Sequence, residues 1–76
     1  MQIVDRGTLK LSVNGRPVSV SGEAYHRGYG SPDFEVYENS IRCWDDGQTI
    51  SDSEKKEIIN TILEEAKRKG WTIEIV

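Results

Sequence analysis

The dipeptide Asn14-Gly15 constrains the fold of this chain more than any other feature, because it lies between two runs of alternating apolar and polar residues. Asn and Gly tolerate the positive φ angles that a type I′ turn requires, so the pair predicts a tight β-hairpin. A two-residue turn also fixes the register and brings the apolar residues of both strands onto one face. The predicted pairs on that face are Leu9 with Val20 and Leu11 with Val18.

Pro17 indicates which side of this hairpin stays open. The same register places Pro17 opposite Ser12 in a pair that exchanges no hydrogen bonds. The N–H that proline lacks would then point away from the partner strand. We therefore expect a free edge at this end of the second strand.

A second hairpin is predicted for residues 34–44, where apolar and polar residues alternate again. A turn at residues 38–39 would connect its two strands. The predicted pairs are Val36 with Ile41, Phe34 with Cys43 and, on the other face, Glu35 with Arg42. Cys43 would then face the core, whereas Trp44 would lie on the less buried face. Residues 45–47, Asp-Asp-Gly, are typical of a turn.

The helix prediction for residues 51–69 is supported along its whole length. Ser51 and Glu54 have the S-x-x-E spacing of a capping box. Acidic residues in the first turn and basic residues in the last suit the helix dipole, and Gly70 stands where a helix ends. The apolar residues that recur at intervals of three and four are Ile58, Ile59, Ile62, Leu63 and Ala66.

Residues 71–76 alternate once more and predict a last strand, whose place in the sheet is left open. The predicted fold class is α+β, a four- to five-stranded and mainly antiparallel sheet with one amphipathic helix (about 51–69) packed on one face. The order is β-β-β-β-α-β. At 76 residues, the chain is expected to form a single domain, residues 1–76.

No catalytic, cofactor-binding or metal-ligating set emerges from the sequence. His26 and Cys43 are the only residues of their types, and they fall in a loop and on a predicted strand. Nucleophilic catalysis needs such groups to meet together with an orienting third group, and a zinc site needs three or four ligands. We therefore expect a protein that is not an enzyme and that uses no cofactor.

The charge distribution allows a basic protein as the partner, and the alternative is that these acids only solvate sheet edges and the start of the helix. Residues 33–57 contain eight acidic and three basic side chains, which argues against binding to nucleic acid. There is no apolar run long enough for a membrane span. A lone cysteine suits a reducing compartment, so cytoplasmic localisation is expected.

Candidate partner-binding residues lie in the glycine-rich loop predicted for residues 22–32 and in the acidic turn. Tyr and Arg are enriched at binding hot spots, and a tryptophan beside acids suits a basic partner with apolar surface. The candidates are Tyr25, Arg27, Tyr29, Trp44, Asp45 and Asp46. The alternatives are that the tyrosines fold over the edge of the core and that Trp44 caps it.

Several segments together resemble the immunity protein 74 family of bacterial polymorphic toxin systems. They are a hairpin ending in Gly22-Glu23, the motif Phe34-x-Val36-Tyr37, the motif Ser40-Ile41-x-x-Trp44, and a helix beginning Ser51-Asp52-Ser53-Glu54-Lys55-Lys56-x-Ile58-Ile59. The resemblance implies a cytoplasmic antidote that binds a cognate toxin and blocks it. Two alternatives stay open, a phage-encoded inhibitor of a bacterial defence complex and a structural module that forms a homodimer through an open strand edge.

Overall fold

A computed structural model describes residues 1–25 and 32–76 of the chain. Its elements are β1 (Gln2–Asp5), β2 (Thr8–Val13), β3 (Arg16–Ala24), β4 (Phe34–Val36), a 3₁₀ helix (Glu38–Ser40), α1 (Asp52–Lys69) and β5 (Ile73–Ile75). The five strands form one sheet in the order β1-β2-β3-β4-β5. The first four are antiparallel to their neighbours, and β5 runs parallel to β4. The predicted α+β fold class is confirmed. The order β-β-β-β-α-β is confirmed as well, but its first strand is β1, which the sequence analysis does not predict, and the predicted strand at residues 41–44 is absent.

The hairpin formed by β2 and β3 has the predicted turn and register. Asn14 and Gly15 adopt φ angles of 53° and 78°, as the type I′ turn requires. Leu9 pairs with Val20 and Leu11 with Val18, so their side chains are buried on one face. On the side of Pro17 away from β2, no strand of the described residues pairs with β3, because β4 pairs only with residues 22–24. The Pro17 carbonyl instead accepts a hydrogen bond from the Asp45 N–H at 3.1 Å.

Gly22 belongs to a strand, which corrects the prediction of a loop from residue 22. It pairs with Val36 of β4, and a Cβ atom at this position would lie 1.8 Å from the carbonyl oxygen of Glu35. The glycine is therefore required by the close approach of two strands, not by a turn. The rest of the predicted loop, residues 26–31, lies outside the described residues.

The predicted second hairpin is wrong. Residues 38–40 form a 3₁₀ helix, and β4 pairs with β3 and β5 instead of with residues 41–44. Glu38 and Asn39 do not adopt the positive φ angles of a tight hairpin turn. The hydroxyl of Ser40 accepts from the Ser21 N–H at 3.0 Å, which holds this segment beside β3. Cys43 is exposed and does not face the core.

The helix begins and ends as predicted. The Ser51 hydroxyl accepts from the Glu54 N–H at 3.2 Å, and the Glu54 carboxylate accepts from the Ser51 N–H at 2.8 Å. Gly70 ends α1 in the left-handed conformation with φ of 71°. Ile58, Ile62 and Ala66 are buried against the sheet, whereas Leu63 is 42% exposed. The buried stripe of α1 is thus narrower than the apolar stripe that the sequence predicts.

The core lies between α1 and one face of the sheet. Phe34, Val36 and Ile73 bring β4 and β5 into it, and Ile41, Trp44 and Ile50 are buried there from the segment that connects the sheet to α1. The other face of the sheet carries polar and aromatic side chains, as one face of an antiparallel sheet commonly does. Within the described ranges, no helix has the length and apolar character needed to span a membrane.

Candidate functional site

Three glutamates lie side by side on the outer face of the sheet, opposite α1. Glu23 of β3 is directly opposite Glu35 of β4, which is directly opposite Glu74 of β5. Since neighbouring strands are about 4.8 Å apart, the backbones of the three residues follow one another at roughly that spacing. We call these three residues the glutamate row. Among residues 1–25 and 32–76, no cationic group forms a salt bridge with any of them.

Two exposed tyrosines contact the glutamate row. The Tyr25 hydroxyl donates to Glu35 at 2.6 Å, and the Tyr37 hydroxyl donates to Glu23 at a longer 3.5 Å. Their side chains are 38% and 42% exposed. The hydrogen bond to Glu35, with desolvation and the charges of Glu35 and Glu23, raises the pKa of Tyr25 to about 12. The phenol therefore stays protonated and keeps donating over the physiological pH range.

The glutamate row is unfavourable for the isolated fold. Like charges directly opposite each other on neighbouring strands destabilise a sheet. Within the described part of the chain, none of the three carboxylates forms a salt bridge, and they are not arranged to share a metal ion. An external cation placed over the row would relieve the repulsion and gain charge-assisted hydrogen bonds.

Trp44 lies in the core, so the prediction that it occupies the less buried face is wrong. Its side chain is only 5% exposed, because residues 41–44 form no strand and residues 44–48 make a turn that folds the indole inward. The guanidinium carbon of Arg16 stacks 4.1 Å from the ring centroid. We call Trp44, Arg16, Gln48 and Glu54 the Trp44 corner.

Arg16 links the Trp44 corner to the start of α1. Its guanidinium lies 3.0 Å from the Glu54 carboxylate and 3.0 Å from the Gln48 side-chain oxygen. The pKa of Glu54 is lowered, first by the backbone N–H of Ser51 and then by the Ser51 hydroxyl, the Trp44 N–H and Arg16, against opposing desolvation. The Trp44 Nε1 atom is buried and forms no hydrogen bond of ordinary geometry with a described residue, and its effect on the pKa of Glu54 is smaller than that of the Ser51 groups.

The acidic turn after Trp44 is confirmed, and both of its acids contact groups of the fold. Asp45 lies 3.5 Å from the ammonium of Lys10. Asp46 accepts from the Gln48 N–H at 2.9 Å, which closes the turn. A partner contact at Trp44, Asp45 or Asp46 stays a prediction.

Of the candidates in the predicted loop, the structure describes only Tyr25. Arg27 and Tyr29 lie outside the described residues. The structure therefore brings Tyr25 together with Glu35, and it places the Trp44 corner on the core side of the sheet. A partner contact at Tyr25, Arg27 or Tyr29 also stays a prediction.

The sequence reasoning missed the glutamate row and Tyr37. Alternation in this segment already places Glu35 and Tyr37 on the face opposite Phe34 and Val36. The pairing of Glu35 with Arg42, which the wrong hairpin predicted, does not form. Arg42 instead donates to the Asn39 carbonyl at 2.9 Å. The row becomes visible only when the β3-β4 and β4-β5 registers are known.

Comparison with protein-family models matches residues 2–76 to the family described as immunity protein 74. The match covers both the glutamate row and the Trp44 corner. Searches of curated proteins and of solved structures gave no match.

Proposed function

The chain belongs to the immunity protein 74 family, and we propose that it neutralises a cognate toxin in the cytoplasm by binding it directly through the outer face of the sheet. Membership of the family implies an immunity protein of a toxin system and a toxin as its protein partner. The proposal adds the binding surface and the basic character of that partner. In this proposal the bound chain itself blocks the toxin, and the chain catalyses no reaction.

The observation that carries this proposal is the glutamate row, which has no salt-bridge partner among residues 1–25 and 32–76. Glu23, Glu35 and Glu74 form a line of negative charge, and none of the three forms a salt bridge with a cation of the described residues. Lys or Arg side chains on a toxin would form charge-assisted hydrogen bonds with these carboxylates. A negative surface facing a positive one also accelerates association and disfavours wrong partners.

Tyr25 and Tyr37 supply the apolar part of the same surface. Tyrosines combine a large contact area with a polar group and lose little conformational entropy on binding. The 2.6 Å hydrogen bond from Tyr25 to Glu35 holds both side chains in place before a partner arrives. Such preorganisation favours affinity because less side-chain freedom is lost on binding.

The test compares the glutamate row with the acidic turn by two variants of equal charge change. The toxin is first identified as the protein that co-purifies with this chain from its source lysate and dissociates at high salt. Glu23→Lys/Glu35→Lys and Asp45→Lys/Asp46→Lys are then titrated with it by calorimetry. We expect the first variant to bind about 10- to 100-fold more weakly, from the loss of two charge-assisted contacts.

The second variant serves as the control for net charge. We expect Asp45→Lys/Asp46→Lys to change the affinity by less than about threefold, because both acids already contact groups of the fold. Greater loss in this variant than in the row variant would place the binding surface at the acidic turn. Equal loss in both would show that net charge, and not a defined surface, governs binding. Either result contradicts the proposal.

A further inference from the structure

The outer edge of β5 carries unpaired backbone groups. The Thr72 carbonyl accepts from the Phe34 N–H at 3.4 Å, and the Val76 N–H donates to the Val36 carbonyl at 2.8 Å. Because the hydrogen-bonding direction alternates along a strand, the N–H and C=O groups of Ile73 and Ile75 point away from β4. No hydrogen bond from the described residues reaches them, and β5 is the last strand of the sheet.

The opposite edge of the sheet is less suited to pairing. On β1 the register shifts between Ile3 and Asp5, so the strand is irregular there. Such bulges twist an edge and hinder the addition of another strand. The β4-β5 ladder is regular from Ile73 to Ile75. Of the two edges, β5 is therefore the better template.

On the helix side of the sheet, the flank of α1 away from β1 and the strand β5 both carry incompletely covered apolar side chains. On α1, Glu65 lies 3.0 Å from the amino group of Met1, near β1. At 100° per residue, Leu63 and Ile59 lie on the opposite flank of the helix from Glu65. Leu63 is 42% exposed, and Ile59 and Ile75 are half-buried. A strand added to β5 could cover these side chains with its own inward-facing residues.

On the outer face of the sheet, the glutamate row ends at Glu74 of β5. Glu74 is exposed, and the next position along the row falls on whatever strand pairs with β5. A cation at that position would sit about 4.8 Å from Glu74, the distance between neighbouring strands. Opposite charges on directly paired residues stabilise a sheet.

We propose that the β5 edge takes one extended strand of the partner toxin, in which a Lys or Arg opposite Glu74 stands between two apolar residues. This rests on the proposed function, since it specifies how that partner docks. Main-chain hydrogen bonds to Ile73 and Ile75 supply affinity, as in other cases of strand addition. The alternation of apolar and basic side chains matches the incompletely covered apolar side chains of α1 and β5 on one side and the glutamate row on the other.

A second copy of this chain fits the edge poorly. Antiparallel pairing of two β5 strands with Ile73 opposite Ile75 places the two Glu74 side chains opposite each other. That arrangement extends the glutamate row with further like charges, which destabilise a sheet. The charge of the edge therefore favours a basic strand over self-association.

The test uses a capped five-residue peptide, Thr-Val-Lys-Val-Thr, and a matched control in which Glu replaces the central Lys. Each peptide is titrated into the ¹⁵N-labelled full chain at millimolar concentration. We expect the Lys peptide to shift the amide resonances of Ile73 and Ile75 and to slow their hydrogen exchange, with those of Gln2–Asp5 unchanged. We expect the Glu peptide to bind at least about fivefold more weakly and Glu74→Lys to reverse this preference, as expected for one paired charge.

Several outcomes would overturn the inference. Absence of a response at Ile73 and Ile75, or a response at β1 of equal size, excludes β5 as the docking edge. Equal binding of the two peptides excludes the role of Glu74. Shifts at Ile73 and Ile75 that grow with protein concentration alone would identify a second copy as the occupant. If strand addition fails while Glu23→Lys/Glu35→Lys still weakens toxin binding, only this inference falls.

Discussion

The Trp44 corner and the glutamate row both contain glutamates, but the neighbouring groups stabilise the negative charge in the first and repel it in the second. Glu54 receives the Ser51 N–H at the start of α1 and the guanidinium of Arg16 at 3.0 Å. Glu35 instead stands between Glu23 and Glu74. The first carboxylate joins the hairpin to the helix, whereas the second adds repulsion to the sheet.

This difference separates an acid that is paired with a cation of the fold from acids that form no salt bridge within the described part of the chain. A carboxylate that accepts from a backbone N–H and pairs with a guanidinium stabilises the folded chain, and its removal should weaken that chain. A carboxylate whose internal donor is an exposed phenol and whose strand neighbours are like charges gains less from folding. Its neutralisation, with the accepting oxygen kept, should be harmless or stabilising. Measurements of stability can therefore distinguish the two regions without any knowledge of the toxin.

The largest effect is expected from truncation of the buried indole. Trp44→Ala removes a side chain that is 5% exposed and leaves a cavity beside Arg16. Such truncations lower the free energy of unfolding by about 3–5 kcal/mol, much of the total for a domain of this size. Urea unfolding followed by circular dichroism measures the change. Trp44→Phe, which keeps a ring under Arg16, should lose clearly less, and an equal loss in both would argue against the stacking.

A smaller effect is expected from the charge of Glu54 in acid. Its pKa is lowered in the folded state, chiefly by the Ser51 N–H, so its contribution to stability is complete above the ordinary glutamate value of 4.5. That contribution is lost as the pH falls through the lowered pKa, because the unfolded chain then binds a proton first. Unfolding curves recorded from neutral to acidic pH should show this loss.

Glu54→Gln is the matched control for this pH dependence. Glutamine can still serve in the capping box, so the variant changes the charge while keeping the hydrogen-bonding geometry. Its free energy of unfolding should fall less steeply below pH 4.5 than that of the parent chain. If the free energy of unfolding falls equally steeply with pH in both proteins, the ionised form of Glu54 contributes nothing to stability.

The local elements of the fold could be predicted from the sequence because their determinants are adjacent in it. Asn14-Gly15 fixes the turn between β2 and β3, and Ser51 with Glu54 fixes the start of α1. Gly22 shows the limit of this reasoning, since it is needed where β4 approaches within contact distance. That approach depends on a strand twelve or more residues away in the chain. The local sequence around Gly22 therefore indicates only that regular secondary structure is interrupted there.

The candidate site depends even more on contacts that are distant in sequence. Glu23, Glu35 and Glu74 form a row only because β4 lies between β3 and the parallel strand β5. Alternation places each of them on the outer face, but it does not reveal which strands are neighbours. Alternation along a predicted strand at residues 41–44 puts Trp44 on the outer face, but this strand does not form. An error in one element thus displaced the predicted binding surface.

A modest gain in stability is expected when the centre of the glutamate row is neutralised. Glu35→Gln removes repulsion with Glu23 and with Glu74, while the amide oxygen can still accept from Tyr25. We expect the free energy of unfolding to rise by about 0.5 kcal/mol. The gain should shrink at high ionic strength, where exposed charges are screened.

A helix glutamate provides the comparison for that variant. Glu64 stands four residues before Arg68 on α1, a spacing at which opposite charges attract. Glu64→Gln should therefore be neutral or slightly destabilising under the conditions in which Glu35→Gln stabilises. A loss of stability in Glu35→Gln would mean that the row serves the fold as the Trp44 corner does.

The smallest effect concerns Tyr25 and alkaline pH. Its hydrogen bond to Glu35 raises its pKa to about 12 from the ordinary value of 10.0. Because the folded state favours the protonated phenol, this contribution is complete below pH 10 and is lost as the pH rises toward 12. Tyrosinate absorbance should show a phase that titrates near pH 12, and Tyr25→Phe should abolish that phase. Glu35→Gln should move it back toward 10, since the accepting group then carries no charge. Titration of every tyrosine near the ordinary value in the folded chain would show that Tyr25 is not bound to the row, and the surface would then lose its preorganised aromatic contact.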